Sequence, residues 1–190
     1  MNAPNNSRLS AAIAPVCIAL LLVSNGFLLW KYRQAQAAPA RNRRGADDAA
    51  VTRLMTQPLQ SLNGETFVLS DVKSRYVILF VFTPGDCTVC LEELSQLNSI
   101  NTGSSLFQVF SLMSNASLDE MRQTQKNFDV SYPILADPDG KALDSLRLPK
   151  TPWKIVVDVK RKQIVYEDLP SITKSEREAF ISRLNLIGNS

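Results

Sequence analysis

Runs of apolar residues predict five strands in the second part of the chain. Seven consecutive apolar residues, Tyr76–Phe82, indicate a central strand that is covered on both faces of a sheet. Similar runs at 106–113 and 132–135 predict two more buried strands. Two segments that are separated by a charged turn, Trp153–Asp158 and 163–167, predict an antiparallel pair.

Three longer helices are predicted between and after these strands. Leu91, Leu94 and Leu97 recur at three-residue spacing, which indicates a helix with one broad apolar face. A second helix is predicted over 117–128 and a last one over 173–187. Each of these two begins with the Ser/Thr-x-x-Glu pattern of a capping box.

Turn signals complete the prediction for this part of the chain. Asn63-Gly64 lies between apolar residues and is a strong signal for a β-hairpin over 59–70. The turn Asp137-Pro-Asp-Gly140 leads into a short helix near 141–146. Strands that alternate with helices predict one α/β domain, over 55–190, with a mixed central sheet flanked by helices.

An earlier apolar segment, residues 9–30, follows a short N-terminal tail, 1–8. It contains 22 residues without a charge, and as a helix it would be about 33 Å long, enough to cross the core of a bilayer. We therefore predict one N-terminal transmembrane helix. The alternative is a cleaved signal peptide with a small-residue cleavage site at Ala35-Gln36-Ala37, which the length of the apolar run disfavours.

Residues 31–54 are predicted to form a basic, flexible tether, because Ala and Arg are frequent there and no apolar periodicity is present. Its cations could lie on anionic lipid or could simply be solvated. From residue 45 to 190 the chain has 15 basic and 18 acidic residues. The folded domain therefore gives no reason to expect nucleic-acid binding.

The motif Cys87-Thr88-Val89-Cys90 connects the strand Tyr76–Phe82 to the leucine-patterned helix. At a helix start, free peptide N–H groups and the helix dipole stabilise a thiolate, which is the attacking species in disulfide exchange. A second thiol three residues later can resolve the mixed disulfide. An inert disulfide or two spectator thiols are the alternative.

The composition excludes several other uses of these cysteines. The chain has three cysteines and no histidine, and Cys17 lies in the N-terminal apolar segment. One chain therefore cannot supply a structural zinc site, a CxxCH haem site or histidine-based acid–base chemistry. We expect no metal and no cofactor beyond the redox-active pair Cys87 and Cys90.

The order of the predicted elements resembles the thioredoxin fold. More narrowly, it resembles the redoxin family that contains AhpC/TSA peroxiredoxins and membrane-anchored, TlpA-like thiol–disulfide oxidoreductases. The resemblance covers about residues 55–187. The motifs that carry it are Leu62-Asn63-Gly64 before Leu69-Ser70-Asp71, the strand into Cys87-x-x-Cys90, Asp137-Pro-Asp-Gly140, and Thr151-Pro152 before a strand.

The resemblance implies a role for each matching residue. Cys87 would be the exposed attacking thiol and Cys90 the buried resolving thiol. Thr151 and Pro152 would form a cis-proline loop that binds the incoming chain, although an ordinary trans proline is the alternative. Glu93 matches a carboxylate of TlpA-like enzymes that could accept the proton of Cys90, and a solvated helix charge is the alternative.

Two positions depart from the family pattern. Asp86 stands where the family usually has Trp, and its charge disfavours a thiolate on Cys87. We place Asp86 with Thr151 and Pro152 at the substrate-binding surface. Val81 stands where thioredoxins have a buried acid. These departures indicate a thiol pair that is not strongly acidified, and hence a reductant or a slow exchanger.

We therefore expect a membrane-anchored thiol–disulfide oxidoreductase that reduces protein disulfides and receives electrons from an upstream thiol. A peroxiredoxin-like peroxidase is one alternative. Its hydroxyl should lie three residues before the reactive cysteine, whereas Thr83 lies four before Cys87. A thioredoxin-like module that binds a partner without turnover is the other alternative.

Two arguments about localisation disagree. Most of the flanking cations follow the segment 9–30, which by the positive-inside rule places the domain in the cytoplasm. The anchored members of the family work on the extracytoplasmic face of the membrane. We follow the family and expect an extracytoplasmic redox domain.

Overall fold

A computed structural model describes residues 47–103, 105–148 and 150–189 of this chain. The predicted tail and membrane anchor lie outside these residues, as does the tether up to residue 46. None of the helices within the described ranges combines the length and the apolar character that crossing a bilayer requires.

In the described part of the chain, seven strands form one sheet. They are Pro58–Ser61 (β1), Thr66–Val68 (β2), Tyr76–Phe82 (β3), Phe107–Ser114 (β4), Ile134–Asp137 (β5), Trp153–Asp158 (β6) and Gln163–Asp168 (β7). Their order across the sheet is β2-β1-β5-β4-β3-β6-β7. β3, β4 and β5 are parallel, and the remaining pairs are antiparallel, so the sheet is mixed as predicted.

Helices pack on both faces of this sheet. They are Asp47–Thr56 (α1), Thr88–Leu91 (α2), Glu93–Gly103 (α3), Leu118–Asn127 (α4), Lys141–Leu146 (α5) and Lys174–Gly188 (α6), with a short 3-10 helix at Leu69–Asp71. The capping boxes that the sequence predicts are present, at Ser117 with Glu120 and at Thr173 with Glu176. A side-chain oxygen at each cap accepts a hydrogen bond from an N–H group that the helix cannot satisfy itself.

Strand β3 supplies side chains to two cores. All seven of its residues are buried, and successive side chains point to opposite faces of the sheet. Ile78 and Phe80 pack on the face that holds buried residues of α3, α4 and α6. Val77 and Leu79 pack on the face that holds buried residues of α1 and α5. The continuous apolar sequence of β3 therefore contributes side chains to the hydrophobic core on each face of the sheet.

Helix α1 is an element that the sequence pattern does not reveal. We expect a tether up to residue 54, but residues 47–54 belong to α1. Val51, Leu54 and Met55 fall on one side of this helix and are at most 1% exposed. The structured domain therefore begins before residue 55. Three apolar residues at helical spacing were too few to stand out beside the Ala- and Arg-rich segment.

Candidate functional site

The two cysteines lie where strand β3 gives way to helix. Residues 83–86 form a turn after β3, in which the N–H of Asp86 donates to the carbonyl of Thr83 at 3.1 Å. Cys87 is the N-cap residue of α2 and Cys90 lies within that helix. Both are free thiols, with Cys87 exposed and Cys90 partly buried. The segment after the strand therefore exposes the thiol of Cys87 to solvent and keeps the thiol of Cys90 partly buried.

The local environment changes the pKa of the two thiols in opposite directions. The pKa of Cys87 is lowered, mainly by the backbone N–H of Cys90 and then by the Cys90 thiol, although the Cys87 side chain makes no capping hydrogen bond. Burial raises the pKa of Cys90, and interaction with Cys87 adds to this effect. Cys87 is therefore the better thiolate, as a helix start favours.

The loop Thr151–Pro152 lies at the end of the sheet where the cysteine motif begins, because of the sheet register. Strands β3 and β6 are antiparallel neighbours with Val81 opposite Trp153, so the end of β3 meets the beginning of β6. The Thr151–Pro152 peptide bond is cis and Pro152 is buried. The structure thus brings Thr151 and Pro152 to the same end of the sheet as Cys87.

Asp86 is bonded within the protein. Its Oδ2 accepts a hydrogen bond from the N–H of Thr83 at 2.7 Å, and its Oδ1 accepts one from the hydroxyl of Thr151 at 3.0 Å. We expected Asp86 among the substrate-binding residues, and each of its oxygens accepts a hydrogen bond from another residue of the protein. Its charge opposes thiolate formation at Cys87 and at Cys90, as expected, but it is a smaller influence on Cys87 than the backbone N–H groups.

Glu93 is buried, with 3% of its side chain exposed, and it forms an ion pair with Lys154. Lys154 Nζ is 2.8 Å from Oε1 of Glu93, and the N–H of Ser171 donates to Oε2 at 2.7 Å. Lys154 Nζ also donates to the hydroxyl of Ser171 and lies 4.0 Å from the centre of the Phe180 ring. The neighbouring Glu92 is exposed. The carboxylate of Glu93 therefore belongs to a buried polar cluster and is not a solvated helix charge.

The charge of Glu93 also affects Tyr132, a second polar residue in this core. Burial is the main cause that raises the pKa of Tyr132, and the charge of Glu93 also contributes. The hydroxyl of Tyr132 donates to the carbonyl of Leu94 at 3.0 Å. Glu93 also lines a cavity of about 500 Å³ between α3 and α6, together with Gln96, Arg177 and apolar side chains. The cluster is thus next to a space that water can enter.

The model of the AhpC/TSA family matches residues 50–180. The chain belongs to the AhpC/TSA family. No curated protein matches it in sequence.

Solved structures show which fold this AhpC/TSA chain shares. A secreted disulfide oxidoreductase of Mycobacterium tuberculosis, described as homologous to E. coli DsbE, has 18% identity and a TM-score of 0.56, and the match covers 67% of this chain and 93% of that chain. M. tuberculosis DsbF has 15% identity and a TM-score of 0.57, and the match covers 69% of this chain and 96% of that chain. The thioredoxin domain of a thiol-disulfide oxidoreductase from Bacteroides vulgatus has 17% identity and a TM-score of 0.57, and the match covers 67% of this chain and 91% of that chain. The AhpC/TSA chain therefore has a thioredoxin-like fold.

Sequence reasoning missed two members of the polar cluster in this AhpC/TSA protein, Lys154 and Ser171. Lys154 interrupts the otherwise apolar start of β6, and its side chain is 0% exposed. A charged residue inside an apolar strand is a signal for a buried partner, because an unpaired buried charge is very costly. Ser171 carried no comparable signal.

Proposed function

We propose that this protein is a thiol–disulfide oxidoreductase in which Cys87 attacks and Cys90 resolves. The observation that carries the proposal is the placement of the two thiols: Cys87 is exposed at the N-cap of α2, and Cys90 lies more buried within that helix. The pKa is accordingly lowered at Cys87 and raised at Cys90. An attacking thiol must be accessible and ionised, whereas a resolving thiol stays protonated until the mixed disulfide has formed. The thioredoxin-like fold of the disulfide oxidoreductases named above supports the same reaction.

The reaction has two exchange steps. The Cys87 thiolate attacks one sulfur of the substrate disulfide, so a Cys87–substrate disulfide forms and the other substrate sulfur leaves as a thiolate and takes up a proton. Cys90 then loses its proton and attacks the Cys87 sulfur, which releases the second substrate thiol. The substrate gains two electrons and two protons, and the protein is left with a Cys87–Cys90 disulfide. An upstream thiol must then reduce that disulfide.

The direction we propose is reduction of protein disulfides. Stabilising a thiolate stabilises the reduced form and makes a protein a stronger oxidant. The charge of Asp86 opposes a thiolate at both cysteines. At Cys87 the backbone N–H groups outweigh it and the pKa is lowered, so Asp86 limits the stabilisation of the thiolate. The apolar Val81 and the uncharged Thr88-Val89 pair add no charge of their own. These features support a reductant whose partners are protein disulfides and a thiol electron donor.

We propose that Thr151 and Pro152 bind the substrate chain and that Glu93 assists proton transfer from Cys90. The position of the loop beside Cys87 supports the first role. The burial of Glu93, three residues after Cys90, supports the second. Each oxygen of Glu93 already accepts a hydrogen bond, from Lys154 and from the N–H of Ser171. Glu93 as an anchor for Lys154 is therefore the competing role.

Trapping experiments test the main proposal. We expect Cys87→Ser to abolish reduction of insulin disulfides, because the attacking sulfur is missing. Cys90→Ser should accumulate a mixed disulfide between Cys87 and the substrate, detectable by mass spectrometry. Trapping by the Cys87→Ser protein instead would reverse the two roles. Failure of the unchanged protein to reduce insulin would favour the binding module.

A thiol peroxidase is the second candidate, because the AhpC/TSA family match is shared with peroxiredoxins. Thr83 lies near the reactive cysteine, but its spacing differs from the family pattern, and its N–H is bonded to Asp86. Rapid peroxide-dependent sulfenylation of Cys87 in the Cys90→Ser protein would favour peroxidase activity. Disulfide exchange without such sulfenylation would favour the oxidoreductase.

We further propose that residues 9–30 anchor the protein in a membrane and that the redox domain is extracytoplasmic. The uncharged length of this segment and the family resemblance support the proposal. A reporter fused after Ser190 would test the orientation. Activity of a reporter that works only in the cytoplasm would contradict the extracytoplasmic location.

A further inference from the structure

Asp86 connects two loops that are distant in sequence. One loop, residues 83–86, follows β3 and carries Cys87 at its end, and the other loop, Thr151–Pro152, precedes β6. Oδ2 of Asp86 accepts from the N–H of Thr83 within the first loop. Oδ1 accepts from the hydroxyl of Thr151, 65 residues away, at 3.0 Å. One half-buried carboxylate therefore fastens both loops.

A carboxylate is well suited to this task. It accepts at both oxygens, whereas the indole of the Trp that usually stands at this position of the family only donates. Two donors on one carboxylate also share its charge, and hydrogen bonds to charged groups are stronger than those between neutral groups. The Thr151 hydroxyl donates its proton to Asp86, so it has no proton left to donate to a substrate. A substrate chain would therefore form its hydrogen bonds with the peptide groups of Thr151.

We propose that Asp86 is a positioning residue, which holds the Thr151–Pro152 loop against the Cys87 loop so that a protein substrate binds with its disulfide at Cys87. This inference rests on the proposed oxidoreductase function. It assigns Asp86 to the recognition of an extended peptide chain, through another residue, and not to the sulfur chemistry. Small disulfides, which have no chain to bind, should depend on Asp86 much less than protein disulfides do.

Four substitutions separate the hydrogen bonds of Asp86 from its charge. Thr151→Val removes the hydroxyl that bonds to Asp86 and keeps the charge of Asp86. Asp86→Ala removes the charge together with both hydrogen bonds of the carboxylate. Asp86→Asn removes the charge and keeps both links, because the amide oxygen can accept from Thr83 and the amide nitrogen can donate to the Thr151 hydroxyl. Thr151→Ser is the conservative variant that keeps the hydroxyl. Thr66→Val, at an exposed position of strand β2, is the control for a threonine-to-valine change elsewhere.

The experiment compares insulin with the small disulfide 5,5′-dithiobis(2-nitrobenzoate), using the full chain. We expect Thr151→Val to raise KM for insulin about fivefold, in line with the loss of one hydrogen bond. Asp86→Ala loses both bonds of the carboxylate and should raise KM at least as much. The loss of kcat/KM should be at least about threefold larger for insulin than for the small disulfide. Asp86→Asn, Thr151→Ser and Thr66→Val should keep the KM for insulin within about twofold. Thermal melting would check that each variant is folded.

The outcomes are distinguishable. Equal losses with both substrates, or an unchanged KM for insulin in Thr151→Val, would overturn the positioning role. An effect of Asp86→Asn as large as that of Asp86→Ala would assign the effect to charge and would also overturn it. If the unchanged protein exchanges neither disulfide, the proposed function fails, whatever the role of Asp86.

Discussion

The chemistry of Cys87 is set by groups that lie within three residues of it. The backbone N–H of Cys90, the Cys90 thiol and the N–H of Val89 all lower the pKa of Cys87, and Asp86 opposes them. Stabilisation of a thiolate by a helix start is a property of the backbone. It therefore persists when side chains in the motif change, whereas the contribution of the Cys90 thiol does not.

Cys90→Ala should raise the pKa of Cys87 and leave it below that of an unstructured cysteine. The variant loses the thiol that donates to the Cys87 thiolate and keeps the backbone N–H groups. The rate of Cys87 alkylation by iodoacetamide, measured from pH 5 to 10, should therefore reach half its maximum at a higher pH than in Cys90→Ser, whose hydroxyl still donates. Identical profiles for the two variants would contradict this account.

The buried pair of Glu93 and Lys154 predicts strong coupling between two substitutions. Removing one partner of a buried ion pair leaves an uncompensated charge, so Glu93→Gln or Lys154→Met alone should each lower the free energy of unfolding by about 3–5 kcal/mol. The double variant should recover most of this loss, because it buries no charge and Gln still accepts from Ser171. Urea unfolding of the four proteins measures the coupling.

The same double variant tests the catalytic role of Glu93. A folded Glu93→Gln/Lys154→Met protein that resolves mixed disulfides at the normal rate would show that Glu93 is an anchor. A rate that falls about tenfold or more in the folded double variant would support proton transfer through Glu93. The rate is measured as release of a small thiol from the Cys87 mixed disulfide.

The elements show where local patterns are sufficient and where they are not. Strands β3 and β6 and helix α5 have the predicted bounds, and α4 and α6 begin at the predicted capping boxes. The helix that was predicted from its leucines begins earlier, at Thr88, and is interrupted at Glu92. Helix α1 was not predicted. Apolar periodicity and capping motifs act within one element, and they say little about short or interrupted helices.

The packing of α1 leads to a prediction about stability. Leu54 is 0% exposed in the core that α1 shares with α5 and one face of the sheet. Leu54→Ala should therefore lower the free energy of unfolding by about 2–5 kcal/mol. Thr56→Ala, at an exposed position of the same helix, is the control and should change it by less than about 0.5 kcal/mol. A small effect of Leu54→Ala would mean that α1 is not part of the folded domain.

The whole domain brings together segments that are far apart in the chain. The antiparallel pairing of β3 with β6 places Thr151 beside Asp86 and Lys154 within reach of Glu93. Ser171, 78 residues after Glu93, completes the cluster from the segment between β7 and α6. In the chain, two residues with long-range contacts flank the cysteine motif, Asp86 before it and Glu93 after it.

The reduction potential of the Cys87–Cys90 pair reports on this arrangement as a whole. If the protein is a reductase, the potential should lie at about −230 to −280 mV, near that of thioredoxins. Asp86→Asn should make it less negative, because loss of the charge favours the Cys87 thiolate and so the reduced form. Equilibration with dithiol buffers followed by alkylation measures both values. A potential near about −120 mV would identify an oxidant instead.

The sequence by itself determined most of the strands and the two capped helices, and it pointed to Cys87 and Cys90 as the candidate reactive residues. The apolar run predicted the central strand Tyr76–Phe82. The resemblance in element order and motifs implied a thioredoxin-like redoxin, and the family match agrees with it. The burial of Glu93 and the bonds of Asp86 were decided only by the tertiary structure. Both depend on partners more than 60 residues away, at Lys154 and Thr151, which the register of β3 and β6 brings into contact. Residue spacing in the sequence shows which side chains are neighbours within one helix or strand. It does not show which side chains of two paired strands lie opposite one another.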